Sequence, residues 1–73
     1  MKAIEELNKY ALDHYLTNDE LADVIKEKAF SMEIGSFKVH AESVRKWRKG
    51  QMPRAKMRQV IDSIVGTKGS DWA

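Results

Sequence analysis

The sequence has no cysteine, a single proline and no long run of apolar residues. Without cysteine there is no disulfide and no thiolate metal ligand, so the stability of the fold must come from packing alone. No stretch is long and apolar enough to predict a membrane span. Charged and amide residues interrupt the first sixteen residues, which argues against a secretory signal there. We therefore expect a cytoplasmic protein that does not contact a membrane.

The residue patterns of common enzymes are also missing. There is no glycine-rich phosphate loop, no nucleophile beside a base and no cluster of residues at metal-ligand spacing. The two histidines, His14 and His40, are 26 positions apart and lack supporting ligands. The sequence thus predicts no catalytic residue, no cofactor, no metal and no small-molecule substrate.

The 73 residues, 42% of them apolar and 33% charged, suit one small globular domain. Apolar residues at helical spacing predict four helices and an all-α fold. The first runs from Lys2 to Leu16, and the second begins at Asn18 after a capping box in which Thr17 pairs with Glu20. The third spans about residues 40–49 and ends at Gly50, and the fourth begins at Pro53, whose fixed φ suits the first helical position, and ends at Gly66.

Two segments leave alternatives open. Gly35, in the connector over residues 33–38, suits either a left-handed helix end or a tight hairpin turn, and Phe37 is expected to fill the core. Residues 67–73 have little to bury, so we expect a domain over 1–66 and a flexible tail over 67–73. The alternative is that Trp72 docks on the body of the domain or on a second copy.

Charge is distributed unevenly along the chain. Residues 1–34 carry four lysines and eight acidic residues, a net charge of −4, whereas residues 35–73 carry nine cationic and three acidic residues, a net charge of +6. Between Lys38 and Arg58, eight cationic residues accompany one acid, Glu42. A solvated helix face explains many such runs, but this one favours a polyanionic partner.

The third helix carries most of this positive charge. At 100° per residue, His40, Val44 and Trp47 share one side. The opposite side holds Glu42, Arg45, Lys46 and Lys49. A helix with an apolar anchor and a cationic face fits a DNA major groove, which admits one α-helix between walls of phosphate. The sequence predicts a recognition helix, with Trp47 in the core rather than stacked on a base.

The segment VHAESVRKWRKG resembles the second half of the helix-turn-helix motif in the Cro and phage-repressor family. Val39 corresponds to the apolar turn residue, Val44 and Trp47 to the buried residues, and Gly50 to the helix end. Upstream, LTNDELADVI resembles the start of the first motif helix, with Ala22 at its small-residue position. The resemblance covers about residues 16–66. It implies a lambda-repressor-like helix-turn-helix domain of four helices, acting as a phage or prophage-type transcriptional regulator.

The interval from Ala22 to Val39 is roughly a dozen residues longer than the usual turn of the helix-turn-helix motif allows. Either the second helix is extended or the connector before the recognition helix is elongated. Pro53 also follows Gly50 one residue earlier than in many members of the family.

Carried over by position, the resemblance places DNA base-edge contacts at Ala41, Glu42 and Lys46, with Arg45 beside them. The residues expected at DNA phosphates are Thr17, Asn18, His40, Lys49, Arg54, Lys56 and Arg58. Glu42 has a plainer alternative, in which it favours the helix dipole and pairs with Lys46. His40 has the alternative of capping the helix, and Arg48, nearer the inward side, is expected only to extend along the surface.

The expected partner is double-stranded DNA, bound by a homodimer because one helix reads few base pairs. RNA is less favoured, since no aromatic residue is interleaved with the cationic face. The alternative function is a small protein-interaction module, an inhibitor or co-regulator of another DNA-binding protein, that uses the acidic residues between 5 and 33.

Overall fold

The computed structural model describes residues 1–34 and 38–73, and within them the protein is all-helical. The four α-helices are α1 (Lys2–Asp13), α2 (Asn18–Ser31), α3 (Ala41–Arg48) and α4 (Ala55–Val65), followed by a 3₁₀ turn over Gly69–Trp72. The principal extents are 26 × 26 × 19 Å. The predicted all-α class with four helices is confirmed for this part of the chain. None of these helices has the length and apolar character needed to cross a membrane.

The start of α2 is the capping box that the sequence predicts. The Thr17 hydroxyl accepts a hydrogen bond from the Glu20 amide at 3.2 Å, and the Glu20 carboxylate accepts one from the Thr17 amide at 2.9 Å. Two amides that no helical carbonyl can reach are thereby satisfied. Thr17 holds the pKa of Glu20 below its ordinary value, the bond from its backbone amide contributing most and its side chain adding to the effect.

Helices α1, α2 and α3 end with the same pair of backbone bonds around one left-handed residue. Gly50 has φ +111°, its amide bonds to the Trp47 carbonyl, and the next amide, of Gln51, bonds back to Lys46. This is a Schellman motif, and it confirms the predicted role of Gly50. Tyr15 (φ +55°) and Glu33 (φ +56°) occupy the equivalent positions after α1 and α2.

The start of α4 differs from the prediction. Pro53 was expected as the first helical residue, but α4 begins at Ala55 with Arg54 as its N-cap. Pro53 is instead buried just before the helix. Its extended neighbour Arg54, with ψ 159°, turns the chain into α4. At the other end Gly66 is left-handed (φ +79°), as the sequence predicts.

A single core joins all four helices. Leu7, Leu21, Ile25, Val44 and Ile61 are fully buried at its centre. Each comes from the apolar stripe that helical periodicity predicts. The stripe of α2 includes the small residue Ala22, which is 4% exposed, and α2 packs against α3 and α4.

The C-terminal segment packs on this core, contrary to the expectation that residues 67–73 have little to bury. Trp72 is only 3% exposed, and its indole Nε1 donates to Asp62 Oδ1 at 2.7 Å. Asp71 lies 4.0 Å from the Lys2 ammonium, so the segment contacts α1 as well as α4. Docking on the body of the domain is thus the alternative that the structure shows, because the indole finds both an apolar site and an acceptor.

Part of the long interval between Ala22 and Val39 belongs to α2. Helix α2 continues from Ala22 to Ser31, and residues 32–40 join it to α3. The two alternatives for Gly35 and the core position of Phe37 lie outside the described residues. Ile34 and Val39, on either side, pack against the core.

Candidate nucleic-acid interface

Helix α3 presents its charged side outward, as its residue spacing predicts. Val44 is completely buried, and Trp47 is partly buried against the core. On the opposite side the exposed residues are Glu42, Arg45, Lys46 and Lys49. Ala41, at the start of the helix, is half-buried. The apolar anchor therefore fixes which side chains of α3 meet solvent.

His40 differs from its predicted position beside Val44. It is the N-cap of α3, with φ −109° and ψ 150°, and its side chain is exposed and caps no helical amide. The helical repeat does not extend to His40 because its backbone is already extended. Capping by the imidazole is therefore not observed, and a phosphate contact stays a prediction.

Glu42 and Arg45 form an ion pair on the outer side of α3. Arg45 Nε donates to Glu42 Oε2 at 3.2 Å, and Arg45 Nη2 donates to Oε1. The bond and charge of Arg45 lower the pKa of Glu42, and those of Glu42 raise the pKa of Arg45. The pairing with Lys46 that the sequence favoured is replaced by this one, because guanidinium nitrogens match the two carboxylate oxygens.

Arg48 does more than extend along the surface. Its Nε donates to Asn8 Oδ1 at 2.6 Å and its Nη1 to Asn18 Oδ1 at 2.8 Å. The Asn8 amide nitrogen returns a bond to the Arg48 carbonyl at 3.3 Å. The Arg48 side chain of α3 is thus hydrogen-bonded to both α1 and α2. Sequence reasoning missed Arg48 and Asn8 because they are 40 positions apart, with no local signal linking them.

Two of the expected phosphate residues are engaged within the chain. Thr17 uses its hydroxyl and amide in the capping box, and Asn18 accepts from Arg48. The ionised Glu20 carboxylate at the same helix start disfavours an approaching phosphate. The assignment of Thr17 and Asn18 to phosphate stays a prediction, and this arrangement weakens it for Thr17.

The remaining cations lie around the start of α4. Arg54 and Lys56 are exposed, whereas Arg58 is half-buried and its Nη1 donates to the Pro53 carbonyl at 2.7 Å. Arg58 therefore supports the turn that precedes α4, and reaching a phosphate would compete with that bond. Arg54 and Lys56 keep their side chains in solvent.

No model of a protein family matches this chain, and neither the curated proteins nor the solved structures include a significant match to it.

Proposed function

We propose that the protein is a sequence-specific double-stranded DNA-binding protein that inserts α3 in the major groove, as a phage or prophage-type transcriptional regulator. One observation carries the proposal. The side of α3 opposite its buried Val44 presents four exposed charged side chains, three of them cationic. The proposal includes a helix-turn-helix of the lambda-repressor type, formed by the packed pair α2 and α3.

The dimensions of α3 suit this role. Its eight residues span about 12 Å along the helix axis, and the major groove is wide enough to admit an α-helix. Such a short helix meets only a few base pairs, so one copy provides little specificity. The proposal therefore includes a homodimer on two half-sites.

The outward residues divide into two kinds of contact. The residues that contact base edges are Ala41, Glu42, Arg45 and Lys46. Cationic side chains donate to guanine O6 and N7, a carboxylate accepts from cytosine N4, and an alanine methyl meets a thymine methyl. Lys49, Arg54 and Lys56 neutralise phosphates, which supplies affinity without sequence information.

The first prediction follows from the base contacts. A duplex selected from a random pool by the wild-type protein should bind the Arg45→Gln and Lys46→Gln variants more weakly, by about 5- to 150-fold, the range for one good base contact. A gel-shift titration measures the change. Lys26→Gln, which removes an exposed cation from α2, is the matched control and should bind as wild type. If all three variants bind alike, α3 does not read the bases.

A second candidate function is a protein-interaction module. Leu12 is 70% exposed and Tyr15 92% exposed, three positions apart around the end of α1 in the acidic half of the chain. Apolar side chains in an acidic surface suit contact with a basic protein. A failure of the selection to enrich any duplex would favour this candidate.

A further inference from the structure

A cavity of about 260 Å³ opens beside α3 where three helices meet. It is lined by Asn8 of α1, Asn18 of α2, and Arg45, Arg48 and Lys49 of α3. Three lining residues are cationic, two are amides and none is a carboxylate. Because Glu42 is paired with Arg45, the net positive charge of the lining comes from Arg48 and Lys49, and it attracts an anion and repels a metal ion.

Arg48 is held in this cavity before any ligand arrives. Two of its three guanidinium nitrogens donate to Asn8 and Asn18. Its third nitrogen, Nη2, donates to no acceptor among residues 1–34 and 38–73. Because the asparagines already fix the guanidinium plane, the Arg48 side chain loses little further conformational entropy when Nη2 binds an anion. Lys49, exposed at the rim, adds a second charge.

We propose that this cavity binds one backbone phosphate of the duplex, with Arg48 Nη2 as the donor and Lys49 as the second cation. The inference rests on the proposed function and adds Arg48, which the sequence did not predict at a phosphate, to Lys49, which it did. A phosphate fits because guanidinium nitrogens match its oxygens, and the charge-assisted bonds are strong. The cavity spans α1, α2 and α3, so one phosphate there would fix the angle of α3 in the groove.

The first experiment measures the salt dependence of duplex binding. Removing one phosphate contact should reduce the slope of log affinity against log salt by about 0.9. We expect this reduction for Arg48→Gln and for Lys49→Gln, with equal losses on selected and random duplexes. Lys26→Gln should keep the wild-type slope. A purely structural role for Arg48 predicts a lower melting temperature with the slope unchanged, and that result would overturn the proposal.

The second experiment identifies the phosphate. In a series of selected duplexes, one phosphate at a time is replaced by a neutral methylphosphonate. Each duplex is titrated with the wild-type protein and with Lys49→Gln. At one position per half-site the substitution should weaken wild-type binding strongly and binding of Lys49→Gln less, because that variant has already lost the second cation but keeps Arg48 and its asparagine contacts. If every position weakens both proteins equally, no phosphate occupies the cavity.

Inorganic phosphate separates this proposal from the proposed function. In a ¹⁵N NMR titration, phosphate should shift the side-chain amides of Asn8 and Asn18 in the wild type, and less in Lys49→Gln. These shifts without any duplex binding would support the anion site and refute the proposed function. Specific duplex binding without the shifts, and with unchanged salt slopes, would refute the anion site and leave the proposed function intact.

Discussion

At the scale of single residues, Glu42 and Arg45 largely neutralise each other on the outer side of α3. The net positive charge of that side therefore comes from Lys46 and Lys49. Holding Arg45 through two of its nitrogens also restricts where its guanidinium can lie. Glu42 is in this way a positioning residue for the base contact proposed for Arg45.

The second prediction concerns pH. The pKa of Glu42 is lowered by Arg45, so the pair contributes stability above the ordinary glutamate pKa and loses it as pH falls through the lowered value. In Arg45→Gln the pKa of Glu42 should rise towards its ordinary value. A carboxylate NMR titration measures it. Glu20, whose pKa depends on Thr17, is the internal control and should not change. An unchanged Glu42 titration would contradict the ion pair.

Helical periodicity predicts which way the side chains of α3 point but not which residues of other helices they contact. Periodicity placed Val44 inward and Lys46 outward because both lie in one regular helix. It could not find the bond between Asn8 and Arg48, which depends on how α1 and α3 pack. It also named Lys46 as the partner of Glu42, whereas the structure pairs Glu42 with Arg45, which is equally within reach along a helix.

At the scale of elements, the helix starts and ends follow local chemistry that a sequence displays. The Thr17 cap and the glycines at positions 50 and 66 were predicted and are observed. The left-handed residues Tyr15 and Glu33 were not, because neither residue type favours that conformation. Packing of α1 and α2 against the core imposes it on them.

The third prediction uses this strain. A left-handed backbone costs a non-glycine residue about 1–2 kcal/mol, partly offset by the chain entropy of glycine. Tyr15→Gly should therefore stabilise the protein by roughly 0.5–1 kcal/mol, since the ring is 92% exposed and little packing is lost. Urea denaturation measures the change. Gly50→Ala, the reverse substitution in the same motif, should destabilise the protein. If both variants change the free energy of unfolding in the same direction, the explanation is contradicted.

The fourth prediction compares the two tryptophans. Trp72→Ala should lower the free energy of unfolding by about 3–5 kcal/mol, the range for a buried aromatic residue, and Trp47→Ala by less because Trp47 is only partly buried. The sequence favoured the opposite ranking, since Trp47 lies in a helical stripe and Trp72 in a short polar segment. Thermal melts give the order. A negligible loss for Trp72→Ala would show that the segment does not dock in solution.

At the scale of the whole molecule, net charge and function are linked through the two halves of the chain. In the proposed complex, the acidic residues of α1 and α2 would be repelled by DNA and the basic half attracted to it, so the charge distribution would orient the protein as it approaches. The small net charge of +2 conceals this arrangement.

The fifth prediction is a steep salt dependence. With about three phosphate contacts per copy, from Lys49, Arg54 and Lys56, log affinity should fall with log salt at a slope of roughly −2.7, and twice as steeply for a dimer. Gel shifts at several salt concentrations give the slope, and analytical ultracentrifugation gives the stoichiometry. Half-sites should be about 34 Å apart, one turn of duplex. A flat response would favour the protein-interaction module instead.

The contact between Lys2 and Asp71 brings the opening and closing turns of the described structure side by side. A short peptide could bridge them and close the backbone into a ring. Such a ring would have far fewer unfolded conformations to lose on folding, while α3 would keep its place. The docked tryptophan therefore makes this small domain suitable for cyclisation.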